Sequence, residues 1–272
     1  MEKTRTIVFV GGDERSVEAA KRFPANGDRV FLLGFEKYVG NVGSLARSRQ
    51  PERVLPEADV AVLPLPYTRD GETVYAPYAE QPILLETVFA CGSSALVCGG
   101  MLPEAERRRD YCDEVLALEN ADITAEAALI LGGDTLRRTL RGCRVLILGY
   151  GRIGKALTRK AAGVGSRVTV AARRESDRAL IRLAGFEAAD SADTESLMRD
   201  AELIYNTVPT GLFSPAAAEA LTPGVPVIDL TGSCEGGRVL SARGLPGRYA
   251  PETAGAVLAD AVRRLLAKEE SV

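Results

Sequence analysis

The sequence carries the same pattern twice, with a constant offset of 138 residues between the two copies. Residues 6–11 (TIVFVG) correspond to residues 144–149 (RVLILG). In each copy a glycine 16 residues further on, Gly27 or Gly165, precedes a second apolar segment. Each copy therefore predicts a strand, a tight turn, a helix and a second strand, which is the βαβ unit of a parallel sheet.

A third correspondence follows an insertion of five residues in the second copy. Residues 58–66 and residues 201–209 are both mostly apolar and both end in proline, which cannot continue a central sheet ladder. In an open parallel sheet the ligand crevice lies outside the carboxyl ends of the strands, so these endings are candidate site positions.

The repeat predicts an α/β fold of two Rossmann-like, doubly wound parallel-sheet domains with a cleft between them. The first domain spans residues 1–118 and is completed by a C-terminal helix at residues 253–268, where the apolar residues have helical spacing. The second domain spans residues 119–252, and the helix-forming residues 123–131 are expected to connect the two. A single sheet of about nine or ten strands is the alternative.

Composition narrows the classes of function. The chain of 272 residues has a net charge of −3, which gives no bulk attraction to nucleic acid or to an anionic membrane. The sequence has neither the features of a signal peptide nor an apolar run long enough to cross a membrane, so a cytoplasmic protein is expected.

Histidine is absent, which removes the Ser-His-Asp triad, a histidine base and histidine-ligated metals, and no metal site is predicted. Proton transfer must therefore use other side chains or water. The five cysteines form no C-x-x-C pair and are expected to be reduced and mostly buried: Cys91, Cys98, Cys112, Cys143 and Cys234.

The second domain has a glycine-rich turn between its first strand and its first helix, at residues 149–154 (GYGRIG). In this context the pattern predicts a dinucleotide site. Gly149 allows the turn, Gly151 lets backbone amide groups approach a pyrophosphate, and Gly154 lets the helix pack closely. The pyrophosphate is expected on the helix N-terminus, where Arg152 and Ile153 form the first turn. A tight turn without a ligand is the alternative.

The residues after the next strand predict which dinucleotide binds. An NAD site usually has Asp or Glu about 20 residues beyond the last glycine, where it bonds the ribose hydroxyl groups. Here Arg173 and Arg174 occupy this region, and their guanidinium groups suit the 2′-phosphate of NADP. NADP is therefore the predicted cofactor, and a solvated pair of charges on a loop is the alternative.

The corresponding turn of the first domain lacks this pattern. Asp13 stands where the second domain has Gly151, and a carboxylate there would repel and obstruct a pyrophosphate. The first domain is therefore predicted to bind the substrate or a partner and no dinucleotide. Arg15, near the start of the following helix, suits a substrate carboxylate. Alternatively, Asp13 only caps that helix.

Two further groups of residues are candidates for a ligand site. Four residues that end the fourth strand of the second domain are expected beside the nicotinamide ribose: Asn206, Thr207, Val208 and Pro209. Turns rich in glycine and proline at residues 244–247 and 250–255 lead into the last helix, and they predict either a ligand wall or simple turns.

These segments together resemble, over almost the whole chain, the family formed by the larger, Rossmann-type subunit of dipicolinate synthase. The resemblance includes the opening strand with Gly11-Gly12-Asp13, the glycine-rich turn and the Asn-Thr-Val-Pro segment. Residues 244–247 (GLPG) and 250–255 (APETAG) are its most specific part. Ala127 stands where the family is expected to have glycine, and Cys234-Glu235 stands where a basic residue and proline are expected.

The resemblance implies that the protein oxidises a small dicarboxylate, 4-hydroxy-tetrahydrodipicolinate, to dipicolinate, with NADP as the hydride acceptor. It implies a role in spore formation, in the mother-cell cytoplasm. It also implies a partner, the second, flavoprotein-like subunit of dipicolinate synthase. A homodimer is compatible with this interpretation.

Within such a reaction, Glu126 and Asp13 are the candidates for proton transfer, because histidine is absent. Arg15 and the hydroxyl groups of Thr124 and Thr253 are the candidates for binding the dicarboxylate.

Two other functions remain open. One is another two-domain NADP-dependent dehydrogenase, such as one resembling shikimate dehydrogenase, and the other is a non-catalytic NADP-binding subunit of a larger complex. Shikimate dehydrogenases use a Lys–Asp pair in the substrate domain. Lys37 is the only lysine between Lys21 and Lys155, which argues against that family.

Overall fold

The computed structural model describes residues 4–24, 27–91, 95–104, 109–209, 224–234 and 239–271. The chain divides into two compact units, one formed by Met1–Asn120 with Pro246–Val272 and the other by Ala121–Leu245. In the described part of the chain, no helix has the length and apolar character needed to cross a membrane.

The first unit is built on a parallel sheet. Its described strands are β1 (Thr6–Val10), β2 (Arg29–Leu33), β3 (Ala46–Ser48), β4 (Val60–Val62) and β5 (Leu96–Cys98). They lie in the order β3-β2-β1-β4-β5, and every neighbouring pair is parallel. The chain thus starts at the centre of the sheet and winds outward first to one side and then to the other.

Four helices follow strands of this sheet: α1 (Glu14–Ala20), α2 (Pro51–Val54), α3 (Leu85–Ala90) and α4 (Glu114–Leu136). Both faces of the sheet are buried, because Ile7 and Phe9 of β1 belong to one apolar cluster and Val8 and Val10 to another. Burial on both faces explains why β1 is a continuous apolar run without alternation. The connecting helix α4 is longer than the predicted residues 123–131, and it begins in the first unit and ends in the second.

The second unit contains a second parallel sheet. Its described strands are β6 (Arg144–Leu148), β7 (Arg167–Ala172), β8 (Glu187–Asp190), β9 (Leu203–Asn206), β10 (Val227–Asp229) and β11 (Val239–Ser241). They lie in the order β11-β10-β9-β6-β7-β8 with parallel neighbours. The helices α5 (Arg152–Gly163), α6 (Glu175–Leu183) and α7 (Thr194–Asp200) connect these strands.

The last two helices are α8 (Leu245–Tyr249) and α9 (Pro251–Glu269), and α9 belongs to the first unit. The apolar face of α9, with Leu258 and Val262, joins the cluster that contains Phe9. Gly255 allows the close approach, because a Cβ there would lie 2.9 Å from the Arg15 carbonyl oxygen on α1. The glycine of this segment therefore serves helix packing.

The two predicted doubly wound parallel sheets are confirmed, and the alternative of one continuous sheet is wrong. The first strands of the two copies, β1 and β6, both lie between the second and the fourth strand of their copy. In each sheet the chain changes direction beside this strand, and such a switch point is where open α/β sheets bind ligands.

Candidate functional site

The glycine-rich turn after β6 is a closely packed connection with one open position. Gly149 has a φ of +99°, in the left-handed region that favours glycine, and a Cβ there would lie 2.6 Å from Thr207 Oγ1. A Cβ on Gly154 would collide with the carbonyl oxygen of Gly149, so α5 packs directly on the turn. A Cβ on Gly151, by contrast, would meet no atom within 4 Å. A ligand can therefore approach the backbone at Gly151.

The helix α5 begins directly after Gly151. The first amide groups of a helix have no partner within the helix and carry partial positive charge. Gly151 offers them no side-chain acceptor, and the first turn, with Arg152 and Ile153, contains no acidic residue. In α6 the first turn contains Glu175 and Asp177. The start of α5 thus suits an anion such as a pyrophosphate.

The two arginines after β7 have different surroundings. Arg174 donates from Nε to Asp177 Oδ2 over 2.8 Å. Arg178 donates to the carbonyl oxygen atoms of Ala172 and Arg173, both over 2.9 Å, and so fixes the backbone of the turn. The Arg173 side chain is exposed, and it forms no hydrogen bond or ion pair within the described residues. The sequence treats the two arginines alike, whereas the structure leaves Arg173 available.

A polar cluster, here called the Asn206–Asp229 cluster, joins the carboxyl ends of β9 and β10. Asn206 is 1% exposed, and its Nδ2 lies 3.0 Å from Asp229 Oδ1. Asp229 is fully buried and accepts hydrogen bonds from Thr231 Oγ1 over 2.7 Å and from the amide of Cys234 over 2.9 Å. Ser233 Oγ lies 2.6 Å from Thr231 Oγ1. The cluster fixes the loop after β10 against the end of β9.

Asp229 is held as an anion in this cluster. Burial alone would raise its pKa, but hydrogen bonds from Cys234, Thr231 and Asn206 outweigh burial, so the pKa is lowered. Burial, with the charge of Asp229 adding to it, raises the pKa of the Cys234 thiol to about 11. At neutral pH the cluster therefore contains a buried carboxylate beside a neutral thiol.

The segment after Asn206 lies beside the glycine-rich turn. Thr207 Oγ1 donates to the carbonyl oxygen of Leu148 over 2.8 Å, and the Thr207 amide donates to the same oxygen over 3.0 Å. A Cβ on Gly149 would also lie 2.6 Å from Val208. Pro209 is exposed. The structure thus brings two separate predicted groups, residues 149–154 and residues 206–209, to one edge of the sheet.

The first unit blocks its own glycine turn. The segment between β4 and α3 returns to this turn, where the carbonyl oxygen of Tyr75 accepts a hydrogen bond of 2.7 Å from the Gly12 amide. A Cβ on Gly11 would lie 2.9 Å from both Tyr75 O and Ala76 Cβ. The sequence attributed the loss of dinucleotide binding to Asp13 alone. The structure adds a physical obstruction, which a long loop of unassigned shape did not reveal.

Asp13 and Arg15 form a tight pair at the start of α1. Asp13 caps the helix by accepting from the Arg15 amide over 3.1 Å, which is the capping role that the sequence left open. Arg15 Nε and Nη2 each donate to Asp13 over 2.8 Å, and Nη2 also donates to the carbonyl oxygen of Leu65 over 2.8 Å. A Cβ on Gly247 would lie 2.8 Å from the Asp13 carboxylate, so α8 covers this pair.

The charge of Arg15 is firmly fixed. Burial lowers its pKa, but the hydrogen bond and the charge of Asp13 outweigh burial and raise it overall. Arg15 is 9% exposed, and its Nη1 group makes no hydrogen bond to a described residue. One side of this guanidinium group therefore remains for another anion.

The remaining predicted residues have varied surroundings. Glu126 is exposed, and its Oε2 lies 3.1 Å from Lys160 Nζ, which also pairs with Asp122 over 3.0 Å. Thr124, two residues earlier on α4, is 8% exposed. Thr253 is exposed in the first turn of α9. Thr124 and Glu126 belong to the second unit, whereas Thr253 belongs to the first.

Two family descriptions match the chain, one in each unit. Residues 6–115 match the N-terminal domain of the dipicolinate synthase subunit that the sequence motifs resemble. Residues 121–225 match the NAD-binding domain of D-isomer-specific 2-hydroxyacid dehydrogenases. The second match agrees with the open glycine-rich turn and indicates an oxidoreductase with a nicotinamide cofactor.

Individual relatives match over nearly the full length. The same dipicolinate synthase subunit of Bacillus subtilis (strain 168) is 24% identical over 284 residues, which cover 96% of each chain. The crystal structure of this subunit from Bacillus halodurans has a TM-score of 0.82 and 26% identity, and covers 97% of this chain and 98% of its own.

The crystal structure of the Bacillus subtilis dipicolinate synthase chain has a TM-score of 0.80 and 23% identity, and covers 100% of this chain and 98% of its own. The resemblance first suggested by the glycine and proline motifs is thus supported by sequence and by fold. The chain belongs to the family of the larger, Rossmann-type subunit of dipicolinate synthase.

Proposed function

We propose that this chain oxidises 4-hydroxy-tetrahydrodipicolinate to dipicolinate with NADP. The observation that carries the proposal is the open glycine-rich turn at Gly151 with the available Arg173, in a chain of this family. The reaction removes one water molecule, one hydride and one proton from the substrate ring. NADP would accept the hydride, and the formation of an aromatic ring would favour the product.

The second unit would hold the cofactor. The first amide groups of α5 and the backbone at Gly151 would bind the pyrophosphate, and Arg173 would bind the 2′-phosphate. Asn206 and Thr207 would border the nicotinamide end, because they lie beside the same turn. The Asn206–Asp229 cluster would keep that border rigid and exclude water from it.

The first unit would bind the dicarboxylate. The Nη1 group of Arg15 would donate to one carboxylate, while Asp13 and Leu65 hold the guanidinium group in place. Thr124 and Thr253 would supply hydroxyl groups. Asp13 and Glu126 are proposed for proton transfer, and each would first have to loosen an ion pair, with Arg15 or with Lys160.

A reconstituted turnover assay tests the reaction. Substrate and NADP are incubated with the purified chain, in the absence and in the presence of a candidate second subunit, and both reduced cofactor and dipicolinate are measured. We expect the two products to form in equal amounts. Cofactor binding without turnover, with the second subunit present, would instead favour a non-catalytic NADP-binding subunit.

The preference for NADP depends on Arg173. We predict that Arg173→Asp weakens NADP binding much more than NAD binding, by about 2–4 kcal/mol, because a phosphate contact is replaced by repulsion. Titration of both dinucleotides measures this difference. Arg182→Asp on α6 is the matched control, since Arg182 is also exposed but pairs with Glu175. Equal losses for NAD and NADP in the Arg173 variant would contradict the assignment.

A further inference from the structure

The segment between β4 and α3 contains a turn that is knitted together by one carboxylate. Asp70 Oδ1 accepts from the amide groups of Glu72 and Thr73 over 2.9 and 2.8 Å and from Thr68 Oγ1 over 3.0 Å. Asp70 Oδ2 accepts from Thr73 Oγ1 over 2.5 Å. These bonds, chiefly those from Thr73, hold the pKa of Asp70 well below its usual range. The backbone of Arg69, between Thr68 and Asp70, is therefore fixed.

The ring of Tyr75 is fixed as well. Its amide donates to the carbonyl oxygen of Tyr67 over 2.9 Å, and its own carbonyl oxygen accepts from Gly12 over 2.7 Å. Arg69 Cζ lies 3.9 Å from the centre of the Tyr75 ring. The other cation–π pairs of the described residues have distances of 5.1 to 6.0 Å. The Arg69 guanidinium group is thus in direct contact with a rigid aromatic surface.

This guanidinium group has no anionic partner. Arg69 is exposed, and among the residues that the structure describes it makes neither a hydrogen bond nor an ion pair. The two nearby carboxylates are already engaged, Asp70 within its own turn and Glu80 with Arg49. An arginine held on a ring with its hydrogen-bond donors unused is prepared to bind a planar anion.

The stack borders a cleft of about 530 Å³, a volume suited to a small molecule. Thr73, Pro77, Gln81 and Pro82 line it together with the Arg69–Tyr75 stack. The cleft adjoins the turn that carries Arg15, because Tyr75 bonds to Gly12. Tyr75 also lies near enough to Arg15 to influence the pKa of its guanidinium group. Two arginines therefore approach one tyrosine in the first unit.

We propose that Arg69, supported by Tyr75, binds one carboxylate of the dicarboxylate substrate, while Arg15 binds the other. The proposal rests on the proposed function for the identity of the substrate. Arg69 would determine specificity, because a ring with a single carboxylate would leave its guanidinium group unused. A preference for two carboxylates over one would then depend on Arg69.

Direct binding to the full chain tests this dependence. Dipicolinate and picolinate, which has the same ring with one carboxylate, are titrated by calorimetry, with and without NADP. We expect the parent protein to prefer dipicolinate by tenfold or more, and Arg69→Gln to reduce the preference to less than threefold. Arg69→Lys should keep part of the preference, since it retains the charge but loses the planar stack.

Arg47→Gln is the matched control. Arg47 is exposed in the same unit and lies 6.0 Å from the Tyr38 ring, so its removal changes the net charge equally. We expect this variant to keep the preference for dipicolinate. All of these variants should melt like the parent protein, because the replaced side chains are exposed and form no hydrogen bond or ion pair with the described residues that would support the fold.

Other results are decisive in different ways. An unchanged preference in Arg69→Gln would overturn the carboxylate site and leave the proposed reaction standing. If the parent protein does not bind dipicolinate, the proposed substrate fails, and malonate, succinate and glutarate are titrated instead. A selective loss of one of these in Arg69→Gln would retain the carboxylate site, and no carboxylate binding at all would overturn it. If Arg69→Gln lost only its affinity for the second subunit, Arg69 would belong to a protein contact, and the carboxylate site would also be overturned.

Discussion

Gly151→Asp is expected to abolish dinucleotide binding, with a loss of at least about 100-fold in affinity. A carboxylate about 4 Å from a phosphate charge costs about 4 kcal/mol at the effective dielectric constant of a protein surface. The side chain would also fill the open space at the turn, through which a pyrophosphate would approach the backbone. Titration of NADP and NAD into the purified variant measures the loss.

The fold should not suffer from this change. Gly151 has a φ of −76°, which any residue adopts, and a Cβ there has no neighbour within 4 Å. Asp is also a better helix cap than glycine, by a few tenths of a kcal/mol. We therefore expect the melting temperature without cofactor to be equal to that of the parent protein or slightly higher.

Gly151→Asn separates charge from size in the same experiment. Asn caps a helix about as well as Asp and has nearly the same shape, but it is neutral. We expect a smaller loss of affinity than with Asp and the same melting behaviour. NADP affinity within threefold of the parent in the Asp variant would remove the second unit's turn as the cofactor site.

The two copies of the repeat make opposite choices at this position. In the first unit Asp13 caps α1 by accepting from the Arg15 amide, whereas in the second unit Gly151 leaves α5 without a side-chain cap. A capped helix is the more stable choice, so an uncapped start is expected where the amide groups are needed for a ligand. The repeat thus contains its own comparison between a structural turn and a binding turn.

Local patterns were sufficient to predict the fold. The offset between the copies aligns β1 with β6 and β2 with β7, because a parallel strand buried on both faces is a continuous apolar run. The glycine positions could be predicted because each answers a backbone requirement over a few residues. The match of Gly154 to the Gly149 carbonyl oxygen is of this kind.

Contacts between distant segments could not be predicted in this way. The approach of Tyr75 to Gly12 depends on the path of a loop that has no repeat partner in the second unit. The pairing of Arg15 with Asp13 was accessible, since the residues are two apart, but the sequence assigned them separate roles. Asp229 was visible as a polar residue after a strand. Its bond to Asn206 follows only once β9 and β10 are known to be neighbours.

Asp229→Ala is expected to have the largest effect on stability. The variant would leave the amide groups of Thr231 and Cys234 and the Asn206 side chain without their acceptor in a buried site. Each unsatisfied buried donor costs about 1–3 kcal/mol, so we expect a loss of about 3 kcal/mol or more for the second unit. Urea unfolding followed by spectroscopy of the second unit's transition measures it.

The acid dependence of this loss has a defined sign. The pKa of Asp229 in the folded protein is lowered, because its hydrogen bonds outweigh the effect of burial. Its contribution to stability is therefore complete above the unfolded pKa of about 3.9 and disappears as the pH falls below that value through the folded pKa. The difference in stability between the parent and Asp229→Ala should be constant from neutral pH to about pH 5 and should shrink in stronger acid.

Asp193→Ala is the control for a lost charge, since Asp193 belongs to the same unit and is exposed. We expect it to change stability by less than about 0.5 kcal/mol. Asp229→Asn keeps the size of the side chain but turns one acceptor into a donor, so it should still destabilise the loop after β10. If Asp229→Ala unfolded like Asp193→Ala, the Asn206–Asp229 cluster could not be what holds that loop beside the cofactor turn.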